Sequence, residues 1–192
     1  MKIRIVLLLI IFTTLSCSKE SSPENGFSFN FPEDCCVMDQ FEVLGIDDLE
    51  SENLRLYNAC VFVPDATTTN NNYFIQTNDL IDTISKFEIT DTDGNSIFVR
   101  ENFPPNDSSF GWDGSVDQML QEDAFKVSVV FSTQSNIEVS VSYIICALSC
   151  QESHPFLSGY ESQGLDFNNL RWPSQHDGNG GFDITAPIEL CQ

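Results

Sequence analysis

Cysteine is the residue type in this chain with the most chemistry to offer. The sequence contains seven cysteines, of which Cys17 ends an N-terminal apolar segment. The other six are Cys35, Cys36, Cys60, Cys146, Cys150 and Cys191. An even set of thiols in an exported chain is typical of a disulfide framework, so we predict three disulfides whose pairing the spacing leaves open. A zinc site is the weaker alternative, because Cys35 and Cys36 are adjacent and only two histidines, His154 and His176, are available to complete a ligand set.

The histidines offer little catalytic chemistry. His176 and Asp177 stand together in "PSQHDGNGG" and would suit an acid/base pair or metal ligands, but such pairs are common in surface loops. No arrangement of a nucleophile, a base and an orienting group is legible from the spacing. The segment "DTDGN", residues 91–95, resembles a calcium loop, but a two-residue hairpin turn explains it better because the downstream bidentate glutamate is missing. We therefore predict a non-enzyme without cofactor or metal.

Charge excludes one class of partner. Acidic residues outnumber basic ones 29 to 8, which gives a formal net charge of −21. A chain of this charge repels phosphate backbones, and no local cluster of lysine or arginine offers an exception. We predict that the protein does not bind nucleic acid.

The first seventeen residues, "MKIRIVLLLIIFTTLSC", have the layout of an export signal. Lys2 and Arg4 form a charged start, residues 5–12 an apolar stretch, and the segment ends on Ser16 and Cys17. This resembles a bacterial lipoprotein signal, which implies that Cys17 is acylated and held in outer-membrane lipid. The alternative is an ordinary cleaved signal in which Cys17 is incidental. The "SKE" that follows resembles the signal that sends such lipoproteins to the cell surface, so we expect the exterior face of the outer membrane.

The elements that follow indicate an all-β fold. After a polar tether and N-terminal extension (residues 18–56), residues 57–148 contain short runs of alternating apolar and polar residues separated by turn signals, such as "ISKFEIT" and "IEVSVSYIICAL". This pattern predicts an antiparallel β-sandwich. Residues 149–192 are rich in glycine, asparagine and proline, and we expect an irregular extension that disulfides join to the sandwich.

The loop "ENFPPNDSSFGWDG", residues 101–114, is the most specific motif. Pro104 and Pro105 fix the backbone, and Asn106 and Asp107 can bond the backbone groups that prolines cannot serve. Trp112, between turn residues, can fold inward and cover one end of the sandwich. We therefore expect the loop to be a folding element first and a recognition element second.

The stretch "FEITDTDGNSIFVRENFPPNDSSFGWDGSV" resembles the type B C-terminal sorting domain of gliding-motility-associated and type IX-secreted proteins. The resemblance rests on the Gly94 and Asn95 turn, on residues 102–107 and on residues 111–114, and extends more weakly over residues 59–148. It implies an immunoglobulin-like β-sandwich. It also implies contact with an outer-membrane protein complex, the type IX translocon or gliding machinery, and the candidate contact residues are Asn102, Phe103, Pro104, Pro105, Asn106, Asp107 and Trp112.

Two functional interpretations follow. The first is a lipid-anchored accessory or scaffold subunit of the type IX secretion or gliding motility machinery. The alternative is a surface lipoprotein that binds glycans or an outer-membrane nutrient-uptake transporter. In that case four aromatic residues near the C-terminus would form a binding platform: Tyr160, Phe167, Trp172 and Phe182.

Overall fold

The computed structural model describes residues 26–31, 34–35, 42–44, 54–67, 69–134, 137–162, 171–183 and 185–186. The strands in this part of the chain are β1 Glu42–Leu44, β2 Leu56–Tyr57, β3 Val61–Phe62, β4 Gln76–Thr77, β5 Ile81–Thr90, β6 Ser96–Phe103, β7 Ser115–Val116, β8 Met119–Leu120, β9 Asp123–Thr133 and β10 Glu138–Ala147. One α-helix, α1 Cys150–Ser162, and short 3-10 helices at Thr69–Asn71, Ser108–Phe110 and Pro173–Gln175 complete the elements described. The prediction of an all-β fold is confirmed.

The main sheet has the strand order β1-β10-β9-β5-β6, and all of these neighbours are antiparallel. β3 adds to the end of β10 in the parallel sense, with Val61 opposite Cys146 and Phe62 opposite Ala147. Two small antiparallel pairs, β2 with β4 and β7 with β8, stand outside this sheet. Long-range antiparallel pairing therefore organises the described part of the chain, as the alternating runs predict.

Alternation along β9 explains why the sheet has one buried face. Phe125, Val127, Val129 and Phe131 are buried, whereas the residues between them are partly exposed. Successive side chains of a strand point to opposite faces, so these four residues line the same side. β10 repeats the pattern with Val139, Val141, Tyr143 and Ile145.

Aromatic residues of β3 and of two connecting segments close this face. Phe62 packs against Tyr73 and Trp112, with ring centroids 5.7 and 5.4 Å away. Trp112 in turn meets Phe125 of the sheet edge-on at 4.9 Å. Tyr57 of β2 belongs to the same core cluster. The smaller strands and loops thus form a second layer over the sheet.

A second cluster covers one end of the opposite face. It contains Cys146, Val61, Leu148 and Trp172, and Phe27, Phe29 and Phe31 of the N-terminal segment pack against it. A disulfide between Cys35 and Cys146, with Cα atoms 6.0 Å apart, fastens that segment to β10. The N-terminal extension is therefore part of the packed structure.

Four of the six candidate cysteines are disulfide-bonded in the structure, and the predicted total of three bridges stays a prediction. Besides the Cys35–Cys146 bridge, Cys60 and Cys150 are disulfide-bonded. None of these four sulfurs is free to act as a thiolate ligand of zinc. Cys36 and Cys191 lie outside the described residues.

A hairpin turn joins β5 and β6 within "DTDGN", but its loop has three residues, 92–94, between Asp91 and Asn95, so the predicted two-residue turn is wrong in length. The Asp91 N–H donates to the Asn95 carbonyl at 3.0 Å, and the Asn95 N–H donates to the Asp91 carboxylate at 2.7 Å. Gly94 adopts a positive φ of 84°. The Asp91 carboxylate therefore serves the turn itself.

The prediction of an irregular C-terminal extension is wrong for residues 150–162, which form α1. Its first turn is capped from a distant loop, because the Cys150 N–H donates to the Asp65 carboxylate at 2.8 Å. The Ser149 carbonyl accepts the N–H of Ser153 at 2.9 Å. These bonds satisfy backbone donors that a helix start would otherwise leave exposed.

Candidate recognition loop

The candidate loop starts where β6 stops pairing with β5. Ile84 lies opposite Phe103, the last residue of β6. Asn102 already has a positive φ of 54°, a backbone conformation that asparagine tolerates better than most residues. Pro104 and Pro105 follow, and neither can donate a backbone hydrogen bond. The chain therefore leaves the sheet at a defined point.

Asn106 fastens the loop to the neighbouring strand β4. Its side-chain amide accepts the Thr77 N–H at 2.9 Å and donates to the Thr77 carbonyl at 3.0 Å. Its own backbone N–H donates to the Ile75 carbonyl at 2.9 Å. The amide thus takes the place of a strand neighbour for Thr77, and the left-handed φ of 64° at Asn106 aims it there.

Asp107 caps the short helix Ser108–Phe110. Its carboxylate accepts the Ser109 N–H at 2.9 Å, and hydrogen bonds from Ser109 lower the pKa of Asp107. The helix brings the Phe110 ring onto Phe103, with stacked centroids 4.9 Å apart. Asp113 makes a similar contact: its carboxylate accepts a hydrogen bond from the Ser115 hydroxyl, and this bond lowers the pKa of Asp113.

Trp112 anchors the far end of the loop in the core. Its backbone exchanges two hydrogen bonds with Tyr73, at 2.9 and 2.8 Å, and its indole N–H donates to the Ser115 carbonyl at 3.0 Å. The side chain is 1% exposed. The prediction that Trp112 folds inward is confirmed.

The structure divides the candidate contact residues into two groups. Phe103 and Trp112 are buried and support the loop from beneath. Asn102, Pro104, Asn106 and Asp107 are exposed, and Pro105 is partly exposed. A partner approaching the loop would meet the exposed group, on a backbone that the Asn106, Asp107 and Trp112 bonds hold in place.

Two asparagines that the sequence did not single out bond to distant backbone, Asn72 to the candidate loop and Asn70 to the C-terminal segment. Asn72 donates to the Ser108 carbonyl at 2.8 Å, and the space beside Gly111 is filled by the Asn72 side chain. Asn70 is fully buried and accepts the Ser174 N–H at 2.9 Å. The available signal was the run of three asparagines at residues 70–72, because asparagine amides commonly bond to nearby backbone.

His176 and Asp177 serve the local fold of the C-terminal segment. The His176 ring meets the Tyr57 ring edge-on at 5.5 Å, and burial lowers its pKa against the opposing effect of Asp177. The Asp177 carboxylate accepts the N–H groups of Asn179 and Gly181 at 2.7 and 3.0 Å. The same carboxylate oxygen takes both bonds, as expected of a turn-forming aspartate.

The other candidate sites are only partly described. Trp172 is fully buried, which removes it from any surface platform, whereas Phe182 is exposed. Phe167 and the side chains of Tyr160 and His154 lie outside the described residues, as does Cys17. Within the described ranges, no group of three or more His, Cys, Asp or Glu residues is arranged to hold a metal ion. Within those ranges, too, no helix is long and apolar enough to cross a membrane.

Comparison of the chain with protein-family models, with curated proteins and with solved structures finds no match in any of the three.

Proposed function

We propose that this chain is a non-catalytic lipoprotein of the outer membrane. It acts as an accessory or scaffold subunit of the type IX secretion or gliding machinery, and it binds an outer-membrane protein complex of that machinery through the loop at residues 102–107. Acylation of Cys17 anchors it to the exterior face. The fold that presents the loop is an immunoglobulin-like β-sandwich.

One observation carries the proposal: the motif that resembles sorting domains forms an exposed loop whose conformation is fixed by hydrogen bonds. Asn102, Pro104 and Asp107 are exposed, while Asn106 is hydrogen-bonded to Thr77 on β4. A loop that is ordered before it meets a partner loses little conformational entropy on binding. Lipid anchoring would add to this by raising the local concentration at the membrane, so a modest affinity would suffice.

The test is co-purification from gently solubilised outer membranes, with bound proteins identified by mass spectrometry. The loop variant carries Asn102→Gly, Pro104→Ala and Asp107→Asn. These changes alter the exposed side chains, and asparagine retains a capping oxygen at residue 107. The matched control, Asp93→Asn, makes the same change in charge in the exposed turn at the other end of β6.

We expect the wild-type and control proteins to recover components of the translocon or gliding machinery and the loop variant to lose them. Recovery of a nutrient-uptake transporter instead would support the alternative function, and recovery of the same machinery by the loop variant would rule out this loop as the contact. A Cys17→Ala protein should leave the membrane fraction; if it stays there fully processed, the lipid anchor is wrong.

A further inference from the structure

A groove lies at the start of β9, outside the candidate loop. Its volume is about 410 Å³, and its lining residues are Pro64, Asp65, Leu120, Gln121, Glu122 and Ser149. The β7–β8 hairpin forms one wall. The turn after β3 and the residue preceding α1 form the other. Three segments that are distant in sequence therefore build the groove together.

Hydrogen bonds and close packing hold both walls in place. The Gln121 N–H donates to the Gly114 carbonyl at 2.9 Å, and the Gln121 side chain donates to the Met119 carbonyl at 2.7 Å. Gly114 approaches Pro64 so closely that an added Cβ would lie 2.3 Å from the Pro64 Cγ. On the other wall, Asp65 is fastened to the Cys150 N–H at 2.8 Å. The groove is thus a formed feature of the fold.

The hairpin wall exposes apolar surface. Met119 and Leu120 are 66% and 53% exposed, the highest values among the large apolar side chains in the described part of the chain. Neither side chain belongs to a core cluster of the described residues. The two residues are neighbours in β8 and point to opposite faces of the hairpin, and of the two only Leu120 lines the groove.

The charge of the groove indicates what it would contact. Asp65 and Glu122 are its two charged residues, both acidic, and none of its six lining residues is basic. The chain as a whole has a formal net charge of −21. A second copy or an anionic surface would be repelled, whereas a cationic side chain would be attracted.

We propose that this groove binds an extended segment of a partner protein in which a lysine or arginine adjoins an apolar residue. The cationic group lies between Asp65 and Glu122, and the apolar side chain covers Leu120. This contact is separate from residues 102–107 and does not rest on a role in secretion.

The test is fluorescence anisotropy with the purified full-length protein at physiological ionic strength. The probe is a labelled peptide of alternating leucine and lysine; a serine–lysine peptide reports charge attraction alone. One variant carries Asp65→Asn and Glu122→Gln, and a second carries Leu120→Ser. The control, Asp79→Asn with Glu138→Gln, removes two exposed charges. Glu138 lies at the opposite end of β10, about 30 Å from the groove.

We expect each groove variant to weaken binding of the leucine–lysine peptide by roughly fivefold or more, and the control by less than about twofold. The serine–lysine peptide should bind more weakly than the leucine–lysine peptide. Equal weakening in the control, or equal binding of both peptides, would overturn the proposal. The binding would then reflect non-specific electrostatic attraction between a cationic peptide and an acidic protein. Unchanged binding by either groove variant would also overturn the proposal. So would sedimentation showing a dimer that Leu120→Ser abolishes, because the occupant would then be a second copy. Unchanged melting temperatures establish that the variants are folded.

Discussion

At the scale of single residues, the candidate loop depends on one asparagine. The Asn106 amide provides both a donor and an acceptor to Thr77, at 3.0 and 2.9 Å. The sequence predicts that Asn106 bonds to backbone, because two prolines before it cannot donate. It does not predict which backbone, because Thr77 is 29 residues away and comes close only through the fold.

Replacing Asn106 by glycine separates the hydrogen bonds from the backbone conformation, because glycine adopts a positive φ freely. We expect Asn106→Gly to lower the free energy of unfolding by about 1–3 kcal/mol, since Thr77 loses both partners. Asn102 is the matched control: it has a similar φ of 54° and makes no side-chain hydrogen bond to a described residue. Asn102→Gly should change stability by less than about 0.5 kcal/mol. Urea denaturation measures both, and equal effects would show that the amide bonds contribute nothing.

At the scale of elements, local pattern predicts the strands and misses the helix. The alternation along β9 and β10 is a local signal, and the structure confirms it. The bulges that interrupt the alternation of β5 and the length of its turn are not evident from that pattern. Helix α1 has Pro155 and Gly159 within it and a weak apolar face, so its sequence does not favour a helix. Its cap comes from Asp65, 85 residues earlier, which no local pattern can reveal.

The β7–β8 hairpin carries a conformational cost that a substitution can remove. Asp117 and Gln118, its turn residues, have φ values of 51° and 67°. Two positive values suit a turn whose second position strongly favours glycine, and glutamine is unfavourable there. We expect Gln118→Gly to stabilise the protein by about 1 kcal/mol and Gln118→Ala to leave it nearly unchanged. Thermal and urea unfolding check this; a loss of stability with glycine would mean that the glutamine side chain contributes contacts.

At the scale of the whole molecule, three parts of the chain bring tyrosines into one interior. Tyr57 comes from β2, Tyr73 from the segment before β4, and Tyr143 from β10; all are buried in the first core cluster. Tyr73 donates to the Tyr143 hydroxyl at 2.8 Å, and Tyr57 donates to the Trp172 carbonyl. Burial raises the pKa of each of these three groups. This cluster was not predictable from sequence, because strand alternation marks a residue as buried without identifying its neighbours.

The tyrosines make the folded state sensitive to alkali. An unfolded tyrosine loses its proton near pH 10, whereas the buried groups, with raised pKa values, keep theirs. Stability is therefore fully present below about pH 10 and falls as the pH rises above it, by about 1.4 kcal/mol per pH unit for each group that ionises only on unfolding. A tyrosinate would also add negative charge to a chain already at −21. We expect Tyr143→Phe to reduce the dependence of the unfolding free energy on pH above about pH 10 by the contribution of one tyrosine. The same change lowers stability at neutral pH, because it removes the hydrogen-bond partner of Tyr73. Urea denaturation at a series of pH values gives the slope. If the tyrosinate absorbance of the folded protein showed all three residues ionising near about pH 10, their burial would be contradicted.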